Sequence, residues 1–267
     1  MSNKHTETTG VIHVKNIQQT YEVGDEALPI LRQVDFSIQP GSFTLIFGSS
    51  GSGKSTLLNV LAGLQPPSTG SVVIEGQDIY NLSPDELAHF RANKIGFMHQ
   101  TNHWIKSLNV IENVSVPLYF LGYSKAKAEK LAQKSLDRVN MGSYAKKSPL
   151  LLSGGEQQRI GMARALANDP LFIIADEPTG NLDTENGDTI MNLLLECQTE
   201  LRRTVILVTH NLEYIALADH LLRIHDGKVE DIPSNDTKEV TNVLLKSIED
   251  RVQHLRETKK HATKNHS

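Results

Sequence analysis

Three short runs of apolar residues stand out along the chain because they do not alternate with polar residues. They read FTLIF at 43–47, LFIIA at 171–175 and TVILV at 204–208. Continuous apolar runs of this length predict strands that are buried on both faces, as in a parallel sheet covered by helices. Each run leads into polar residues, and in open α/β sheets ligands bind outside the carboxyl ends of the strands. We therefore expect the ends of these three strands to converge on one ligand.

A different pattern fills the interval from about Leu82 to Asn168, between the first and second runs. The segment SKAKAEKLAQKSLDRV at 124–139 predicts an amphipathic helix that begins after Ser124. Its apolar positions at helical spacing are Ala128, Leu131, Ala132, Leu136 and Val139. The interval is therefore predicted to form a helical lobe.

Short strands with turn signals lie on either side of this interval. The segments TGSVVIEGQDIYNL at 69–82 and HLLRIHDGKVEDI at 220–232 are both predicted to add antiparallel strands to the core. After Ile232 the residues PSND break the chain, and apolar residues then recur at helical spacing at Val240, Leu244, Ile248, Val252 and Leu255. This stripe predicts a partly helical C-terminal segment that either packs on the core of the chain, which we favour, or binds a partner.

Composition and charge narrow the possible environments of the protein. The chain has 267 residues with 27 Lys and Arg against 31 Asp and Glu, a formal charge of -4. That charge provides no general attraction to nucleic acid or to an anionic membrane. The single cysteine, Cys197, excludes an intrachain disulfide, and no leader or membrane-spanning apolar run is recognisable. We expect a cytosolic protein that binds no nucleic acid.

The sequence GSSGSGKST at 48–56 follows the first apolar run directly. Glycines leave backbone N–H groups uncovered, so that these groups can point inward together and surround an anion. Lys54 adds a positive charge that can reach outer phosphates, and Ser55 adds a hydroxyl able to bind Mg²⁺. The full pattern G-x-x-x-x-G-K-S predicts a loop that binds the phosphates of a nucleoside triphosphate.

Two acidic residues, Asp176 and Glu177, follow the second apolar run. Adjacent carboxylates at the end of a buried strand are costly unless they handle a cation or a proton. Asp176 can hold Mg²⁺ through water, and Glu177 can orient and deprotonate the water that attacks the terminal phosphate. The alternative is an acidic pair that caps the next element or faces solvent. The phosphate loop in the same chain favours the catalytic interpretation.

The segment LSGGEQQR at 152–159 predicts a helix start, because Ser153 and Glu156 have the spacing of a capping box. Exposed N–H groups and the positive end of the helix dipole make such a start a second anion site. A well-capped helix with no further role is the alternative. Capping alone does not explain why Gly154 and Gly155 stand where better helix formers would stabilise the first turn.

In sequence order the chain carries the phosphate loop, a glutamine after an apolar strand at Gln100, LSGGEQQR, FIIADE, PTGNLD with Asp183, and VTH with His210. This set resembles the ATP-binding subunits of ABC transporters, and the resemblance spans roughly residues 11–232. It implies an α/β fold, namely a P-loop NTPase core with a mostly parallel sheet, antiparallel β additions and an inserted helical subdomain. The implied segments are a nucleotide-binding core at 1–96 and 168–232, a helical subdomain at 97–167 and a tail at 233–267.

The resemblance also implies roles for individual residues. Tyr21 would stack on adenine, Gln100 would sense the metal and the attacking water, and His210 would contact the γ-phosphate. Ser153 and Gly155 would complete the site of a second copy, with Asp183 at the contact between the two chains. Considered alone, Tyr21 is an ordinary half-buried aromatic residue, Gln100 a surface amide and His210 an imidazole at a strand end.

The resemblance implies three sets of site residues, for ATP, for Mg²⁺ and for catalysis, and some residues belong to more than one set. The set for ATP is Tyr21, Gly48, Ser49, Ser50, Gly51, Ser52, Gly53, Lys54, Ser55, Thr56, Ser153, Gly154, Gly155 and Asp183. The set for Mg²⁺ is Ser55, Gln100 and Asp176, and the catalytic set is Lys54, Gln100, Glu177 and His210.

Within the family, PTGNLD and SPDELAHFRANKIGF look like the branch for lipoprotein release, macrolide export and antimicrobial-peptide export. One region departs from the family pattern. His99 replaces the hydrophobic residue usual before the glutamine, and Lys106 stands where a proline is frequent. In the family this region forms part of the groove for the coupling helix of the membrane subunit.

The resemblance implies an ATP hydrolase that acts as a head-to-tail homodimer on separate integral membrane permease subunits. Its place would be the cytoplasmic face of the membrane, and its work would be export or mechanical transmission across the envelope. A different class, the mechanical or regulatory ABC-type ATPases that are not coupled to transport, is the alternative. A nucleotide-binding scaffold without hydrolysis is less favoured, since Lys54, Asp176, Glu177 and His210 are all present.

Overall fold

The computed structural model describes residues 12–24 and 26–233, together with Asn242 and Leu245. The apolar stripe predicted from Val240 to Leu255 lies outside these residues, as does nearly all of the predicted tail.

The larger sheet has six strands in the order β10-β9-β3-β8-β7-β6. The strands are β3 (Phe43–Phe47), β6 (Ile95–Met98), β7 (Phe172–Asp176), β8 (Thr204–Thr209), β9 (His220–His225) and β10 (Lys228–Pro233). Every pair is parallel except β9 with β10, which is antiparallel. The three apolar runs form β3, β7 and β8, which are adjacent, so the prediction of buried parallel strands is confirmed.

The smaller sheet is antiparallel, with four strands in the order β2-β1-β4-β5. Its strands are β1 (Ile12–Val23), β2 (Glu26–Ile38), β4 (Thr69–Ile74) and β5 (Gln77–Asp78). The segment at 69–82 thus adds antiparallel strands, as predicted. The same prediction for 220–232 is wrong for β9. The hairpin forms at Asp226-Gly227, but β9 pairs parallel with β3 because its buried residues Leu221 and Leu222 extend the core sheet.

Six α-helices occur in the described part of the chain: α1 (Lys54–Leu61), α2 (Pro84–Lys94), α3 (Val110–Phe120), α4 (Lys125–Arg138), α5 (Gly154–Leu166) and α6 (Thr184–Thr199). Helix α4 begins after Ser124, as predicted, and buries Ala128, Ala132 and Leu136. Helices α3, α4 and α5 pack against one another. None of the helices within the described residues has the length and apolar character needed to cross a membrane.

Apolar side chains cover the larger sheet on both faces. Phe43, Leu45 and Phe47 of β3 pack in one cluster with residues of α5 and α6, whereas Ile46 packs in a second cluster with residues of α1. All five residues of β3 are buried. Because both faces are covered, the open carboxyl ends of the strands are where this sheet can meet a ligand.

Candidate functional site

The phosphate loop connects β3 to α1. Gly51 and Gly53 have positive φ angles of 78° and 108°, a region that favours glycine. Gly53 is the N-cap of α1, and no side chain caps this helix. The first N–H groups of α1 are therefore left to other partners, and the helix dipole places positive potential at the same point.

Gly48 is a glycine for a different reason, because the backbone of β9 passes close to it. A Cβ at Gly48 would overlap the backbone oxygen of Ile224 in β9. Ser52, nearby in the loop, is 5% exposed, and its Oγ has no hydrogen-bond partner among the described residues. A buried hydroxyl without a partner is costly in a folded protein. A loop that leaves this hydroxyl and several N–H groups to a further partner suits a phosphate.

Lys54, the first residue of α1, lies across the loop. Its Nζ donates hydrogen bonds of 2.9 Å to the backbone oxygens of Gly48 and Ser49. Burial lowers the pKa of Lys54, while the charges of Glu177 and Asp176 act in the opposite direction. The charges of both carboxylates therefore act on the ammonium group of Lys54.

Asp176 is the last residue of β7, and Glu177 follows it directly. Burial raises the pKa of Asp176, the negative charge of Glu177 adds to the rise, and Lys54 opposes it. Neither carboxylate caps the following helix, because the N-cap of α6 is Asp183. The capping alternative for this acidic pair is therefore wrong.

Glu177 is held in an unusual backbone conformation, with φ 45°. Non-glycine residues rarely have positive φ angles, and such strain is often found at functional sites. The Glu177 N–H donates to the Val208 oxygen at 2.8 Å, which ties the turn after β7 to β8. The side chain then contacts His210, whose Nδ1 lies 2.8 Å from Glu177 Oε2 and whose backbone N–H donates to the same oxygen at 3.3 Å.

Gln100 follows β6 and is exposed. Its backbone oxygen accepts a hydrogen bond of 3.0 Å from Gln158 Nε2 of α5. A Cβ at Gly180 would lie 3.5 Å from Gln100 Nε2, so the amide is next to the turn that follows Glu177. Burial, with Arg164 and His103 adding, lowers the pKa of the neighbouring His99 to about 4.

The capping box predicted at the start of α5 is confirmed. Ser153 Oγ accepts from the Glu156 N–H at 3.3 Å, and Glu156 Oε2 accepts from the Ser153 N–H at 2.8 Å. Hydrogen bonds from Ser153 lower the pKa of Glu156. The hydrogen-bond partners of Ser153 within the described residues all lie in this turn, and none belongs to the phosphate loop.

The two glycines of this turn differ in their surroundings. A Cβ at Gly155 would overlap Oδ1 of Asn186 in α6, whereas a Cβ at Gly154 would meet only Leu182 Cδ2, at 3.8 Å. Packing within the chain therefore explains Gly155 but not Gly154.

Asn186 also donates from Nδ2 to both carboxylate oxygens of Asp183, at 2.9 and 3.0 Å. The sequence offered a partial signal for this contact, since Asn186 is the third helical residue after an aspartate N-cap.

The structure thus brings Lys54, Gln100, Asp176, Glu177 and His210 to one edge of the sheet. The other predicted nucleotide residues outside the phosphate loop lie elsewhere, and Ser153, Gly154 and Gly155 form the start of α5. Tyr21 belongs to β1, is 37% exposed and donates from its hydroxyl to Gln65 Oε1 at 2.8 Å. Asp183 caps α6 beside the start of α5.

Sequence reasoning missed the residues that hold the segment after Gln100. Asn102 Nδ2 donates to Gln158 Oε1 at 3.2 Å, and Arg164 donates to the Asn102 oxygen at 2.6 Å. Gly161 belongs to the same contact, because a Cβ there would overlap Asn102 Oδ1. These contacts join residues far apart in the chain, and no local pattern signals them.

Comparison with known proteins agrees with this geometry. Residues 31–180 match the family model described as ABC transporter. The chain is 38% identical to the lipoprotein-releasing system ATP-binding protein LolD of Alcanivorax borkumensis over 82% of this chain and 96% of that protein. It is also 38% identical to the macrolide export ATP-binding/permease protein MacB of Syntrophobacter fumaroxidans, over 82% of this chain but only 31% of that longer protein.

Solved structures that resemble this chain include ABC transporter cassettes. A dimeric structure of MJ0796, a bacterial ABC transporter cassette, superposes with a TM-score of 0.77 and 40% identity, covering 82% of this chain and 96% of that one. MJ0796 is also the name of a relative from Methanocaldococcus jannaschii. A second dimeric structure of MJ0796 holds ADP and Pi in a post-hydrolysis state, with a TM-score of 0.77, 39% identity and the same coverage of both chains.

Proposed function

The chain belongs to the ABC transporter family as one of its ATP-hydrolysing cassettes, and from this premise we propose how its residues divide the work. One copy binds ATP and Mg²⁺ at its phosphate loop, and the start of α5 of a second copy completes the site. The two copies form a head-to-tail dimer that drives a separate membrane subunit.

One observation carries this proposal: Lys54, Glu177 and His210 follow three adjacent parallel strands, and Glu177 bonds to His210 at 2.8 Å. A base that can accept a proton from water and a cation that can stabilise phosphate charge, both at one sheet edge, suit transfer of a phosphoryl group to water, and the imidazole can orient the base.

In the proposed reaction, Lys54 leaves its two backbone oxygens and pairs with the outer phosphates. Glu177 accepts a proton from the attacking water as the oxygen of that water bonds to the γ-phosphorus. The bond from the γ-phosphorus to the bridging oxygen breaks, and its electron pair leaves with ADP. His210 orients Glu177 and contacts the γ-phosphate. The N–H groups and hydroxyls of Gly48 to Thr56 cradle the phosphates, and Tyr21 stacks on adenine.

The donor chemistry of the proposed metal site fits Mg²⁺. Ser55, Gln100 and Asp176 offer oxygen ligands, which this cation prefers. The described residues contain no group of three or more His, Cys, Asp or Glu side chains that could hold a metal ion. A site with few protein ligands suits Mg²⁺, which keeps waters and binds substrate phosphates. When bound, the metal neutralises charge that develops on the phosphates.

The dimer assignment is supported by the surface at the start of α5. Ser153 and Gly154 are exposed, and the helix presents the positive end of its dipole there. We assign Ser153, Gly154 and Gly155 to the γ-phosphate of a second copy, and Asp183 to the contact between the copies. The dimeric relative supports this arrangement.

The membrane partner is a permease subunit, and the cassette lies peripherally on the cytoplasmic face. The names of the LolD and MacB relatives support export or mechanical transmission as the work performed. In this proposal residues 1–96 and 168–232 form the nucleotide-binding core. Residues 97–167 form the helical subdomain, which moves together with the permease subunit.

The test has two parts. Purified chain should release phosphate from ATP with Mg²⁺ present and stop when EDTA removes the metal. Tagged chain purified from detergent-solubilised membranes of its source should bring with it an integral membrane protein. Hydrolysis without metal contradicts the Mg²⁺ assignment. Recovery of ribosomes or nucleic acid without a membrane protein would favour an ABC-type ATPase that is not coupled to transport.

A further inference from the structure

Positive charge is concentrated in one segment of a chain that is negative as a whole. Residues 124–147, which include α4, contain seven Lys and Arg against two Asp and Glu, a formal charge of +5, whereas the whole chain has a charge of -4. All seven cations are exposed. Because salt screens exposed charges beyond about 8 Å, the local charge decides which partner binds at such a surface.

Four of these cations share one face of α4. Side chains three and four residues apart are neighbours on a helix surface, and this spacing aligns the basic row, here defined as Lys127, Lys130, Lys134 and Arg138. The row is about 16 Å long. Another face of α4 is buried against the core. None of the ion pairs found in the described part of the chain involves a residue of the row.

The two acidic residues of the segment have other contacts. Glu129 Oε1 lies 3.7 Å from Nζ of Lys125, which is outside the row. Asp137 Oδ1 accepts a hydrogen bond of 2.8 Å from Gln133 Nε2, and a Cβ at Gly142 would overlap this oxygen. The basic row therefore keeps its positive charge.

This charge pattern is unfavourable for α4 itself. The row contains three pairs of cations at spacing i, i+3 or i, i+4, and like charges at these positions destabilise a helix. The first turn holds Lys125 and Lys127 and no acidic residue, although the helix dipole places positive potential there. Helices α2 and α5 both have an acid in their first turn. Because natural sequences break such local rules mainly at functional sites, the row indicates an anion from outside the chain.

An exposed aromatic residue stands where the row begins. Phe120, at the end of α3, is 77% exposed. Gly122, with φ 76°, closes the helix, and the Tyr123 N–H donates to the Leu118 oxygen at 3.1 Å, which fixes the turn. Nζ of Lys127 then lies 4.1 Å from the centre of the Tyr123 ring. Basic residues beside an exposed aromatic ring are typical of surfaces that lie on a membrane interface.

We propose that the basic row, with Phe120 at its start, binds the anionic phospholipid headgroups of the cytoplasmic leaflet. The inference rests on the proposed function, which places the cassette on that membrane, and it adds a contact that does not pass through the permease subunit.

The choice of lysine favours lipid over other anionic partners. Six of the seven cations at 124–147 are lysines. An ammonium group acts as a point charge, whereas the planar guanidinium of arginine suits the fixed geometry of nucleic acids and of carboxylates in a protein interface. A row of point charges fits a surface of many equivalent phosphates, which attracts basic segments.

The test measures cosedimentation of the full chain, purified without a permease subunit, with two kinds of vesicle. One is pure phosphatidylcholine, and the other replaces a third of it with anionic phosphatidylglycerol. The row variant combines Lys127→Gln, Lys130→Gln and Lys134→Gln, because glutamine has nearly the helix propensity of lysine. The matched control combines Lys15→Gln, Arg32→Gln and Lys228→Gln, which remove the same charge from exposed positions of β1, β2 and β10.

We expect the wild-type chain to bind the anionic vesicles and not the neutral ones. Each cation near an anionic surface is worth about fivefold in binding, so the row variant should bind about a hundredfold more weakly at physiological ionic strength. The control should bind within about threefold of wild type, because its cations lie beyond the screening distance from the row. Phe120→Ser should weaken binding and leave its salt dependence unchanged, since it removes apolar area and no charge.

Urea unfolding of the row variant tests the charge repulsion directly. The variant should be at least as stable as the wild-type chain, because like charges along α4 are removed. A clear loss of stability would contradict the repulsion from which the inference is drawn.

Several binding results would overturn the inference. They are equal binding to neutral and anionic vesicles, anionic binding that the row variant retains, or the same loss in the control variant. Tighter binding of a single-stranded DNA oligonucleotide at the same salt concentration, lost in the row variant, would assign the row to nucleic acid instead.

Mg²⁺-dependent ATP hydrolysis is measured on the same preparations, and the row variant should hydrolyse ATP at the wild-type rate. A chain that hydrolyses ATP but does not bind anionic vesicles contradicts only this inference. A chain that binds the vesicles but does not hydrolyse ATP contradicts only the proposed function.

Discussion

Glu177 and His210 are 33 residues apart in the chain, yet Oε2 of Glu177 lies 2.8 Å from Nδ1 of His210. The contact exists because β7 and β8 are adjacent and parallel, so both residues emerge at the same sheet edge. Glu177 has a positive φ of 45° in the turn that follows β7. A carboxylate held by an imidazole beside a phosphate loop has a fixed direction, which is what a base for phosphoryl transfer needs.

Replacing Glu177 with glutamine should remove hydrolysis and leave ATP binding intact. The amide has nearly the same shape as the carboxylate but does not accept a proton from water. Positioned general bases contribute about 10²- to 10⁴-fold to the rate, so phosphate release should fall within that range. Steady-state phosphate release measures the loss of hydrolysis, and a nucleotide-binding titration measures whether ATP still binds.

Glu200→Gln is the matched control, because Glu200 is an exposed acid at the end of α6 and contacts none of the site residues named above. It should hydrolyse ATP at the wild-type rate. Normal hydrolysis by Glu177→Gln would remove Glu177 from the role of base.

Gly155→Ala should destabilise the protein, and Gly154→Ala should not. The added methyl at Gly155 would overlap Asn186 Oδ1, whereas at Gly154 it has room. Overpacking typically costs about 1–3 kcal/mol, and alanine is otherwise the better helix former. Urea unfolding of the nucleotide-free chain measures both changes.

The Asn186 contact can be tested by a double-mutant cycle. In an Asn186→Gly background the overlap is gone, so Gly155→Ala should lose most of its cost. An equal cost in both backgrounds would show that Asn186 is not the reason for glycine at this position.

Local patterns predicted more of this fold than of its site. The runs that form β3, β7 and β8, the helix after Ser124 and the capping box at Ser153 were all recognisable, because strand burial, helical spacing and capping each leave a local trace. The parallel pairing of β9 with β3 was not, since a hairpin signal at Asp226-Gly227 says nothing about which strand lies on its other side.

The same reason explains what was missed at the site. Asn186 against Gly155 and Arg164 against Asn102 join elements that are distant in the sequence, and only the tertiary packing brings them together. At the sheet edge, the phosphate-loop pattern and the carboxylates after a buried strand predicted Lys54, Asp176 and Glu177 from the residues themselves. The roles of Gln100 and His210 came only from the family resemblance, in which the order of the motifs along the chain is the signal.

Cys197 should react with thiol reagents only when the protein unfolds. The side chain is 2% exposed, and burial raises its pKa to about 12, so very little reactive thiolate exists near pH 8. Labelling by a chromogenic disulfide should therefore be slow in buffer and become complete in urea. Glu196→Cys, an exposed neighbour on α6, should add one thiol that reacts at once. Rapid labelling of wild-type chain in buffer would contradict the packing of α6.

Two of the capping boxes, both with a serine as the cap, allow a capping role to be separated from a nucleotide role. Ser83 caps α2 and Ser153 caps α5 with nearly the same geometry, since Oγ accepts from the third helical N–H at 3.4 and 3.3 Å. Loss of a serine cap costs about 1 kcal/mol, so Ser83→Ala and Ser153→Ala should lower stability toward urea by similar amounts.

Their effects on assembly should differ, because only Ser153 is assigned to the ATP of a second copy. In a Glu177→Gln background, where ATP persists, sedimentation should show an ATP-dependent dimer that Ser83→Ala leaves unchanged and Ser153→Ala weakens. The added loss reflects a hydroxyl hydrogen bond to a charged phosphate, worth about 1.5–3 kcal/mol, or roughly tenfold or more in the dimer constant. If both variants dimerise equally with ATP, Ser153 serves as a cap alone and the nucleotide contact must come from the backbone of Gly154 and Gly155.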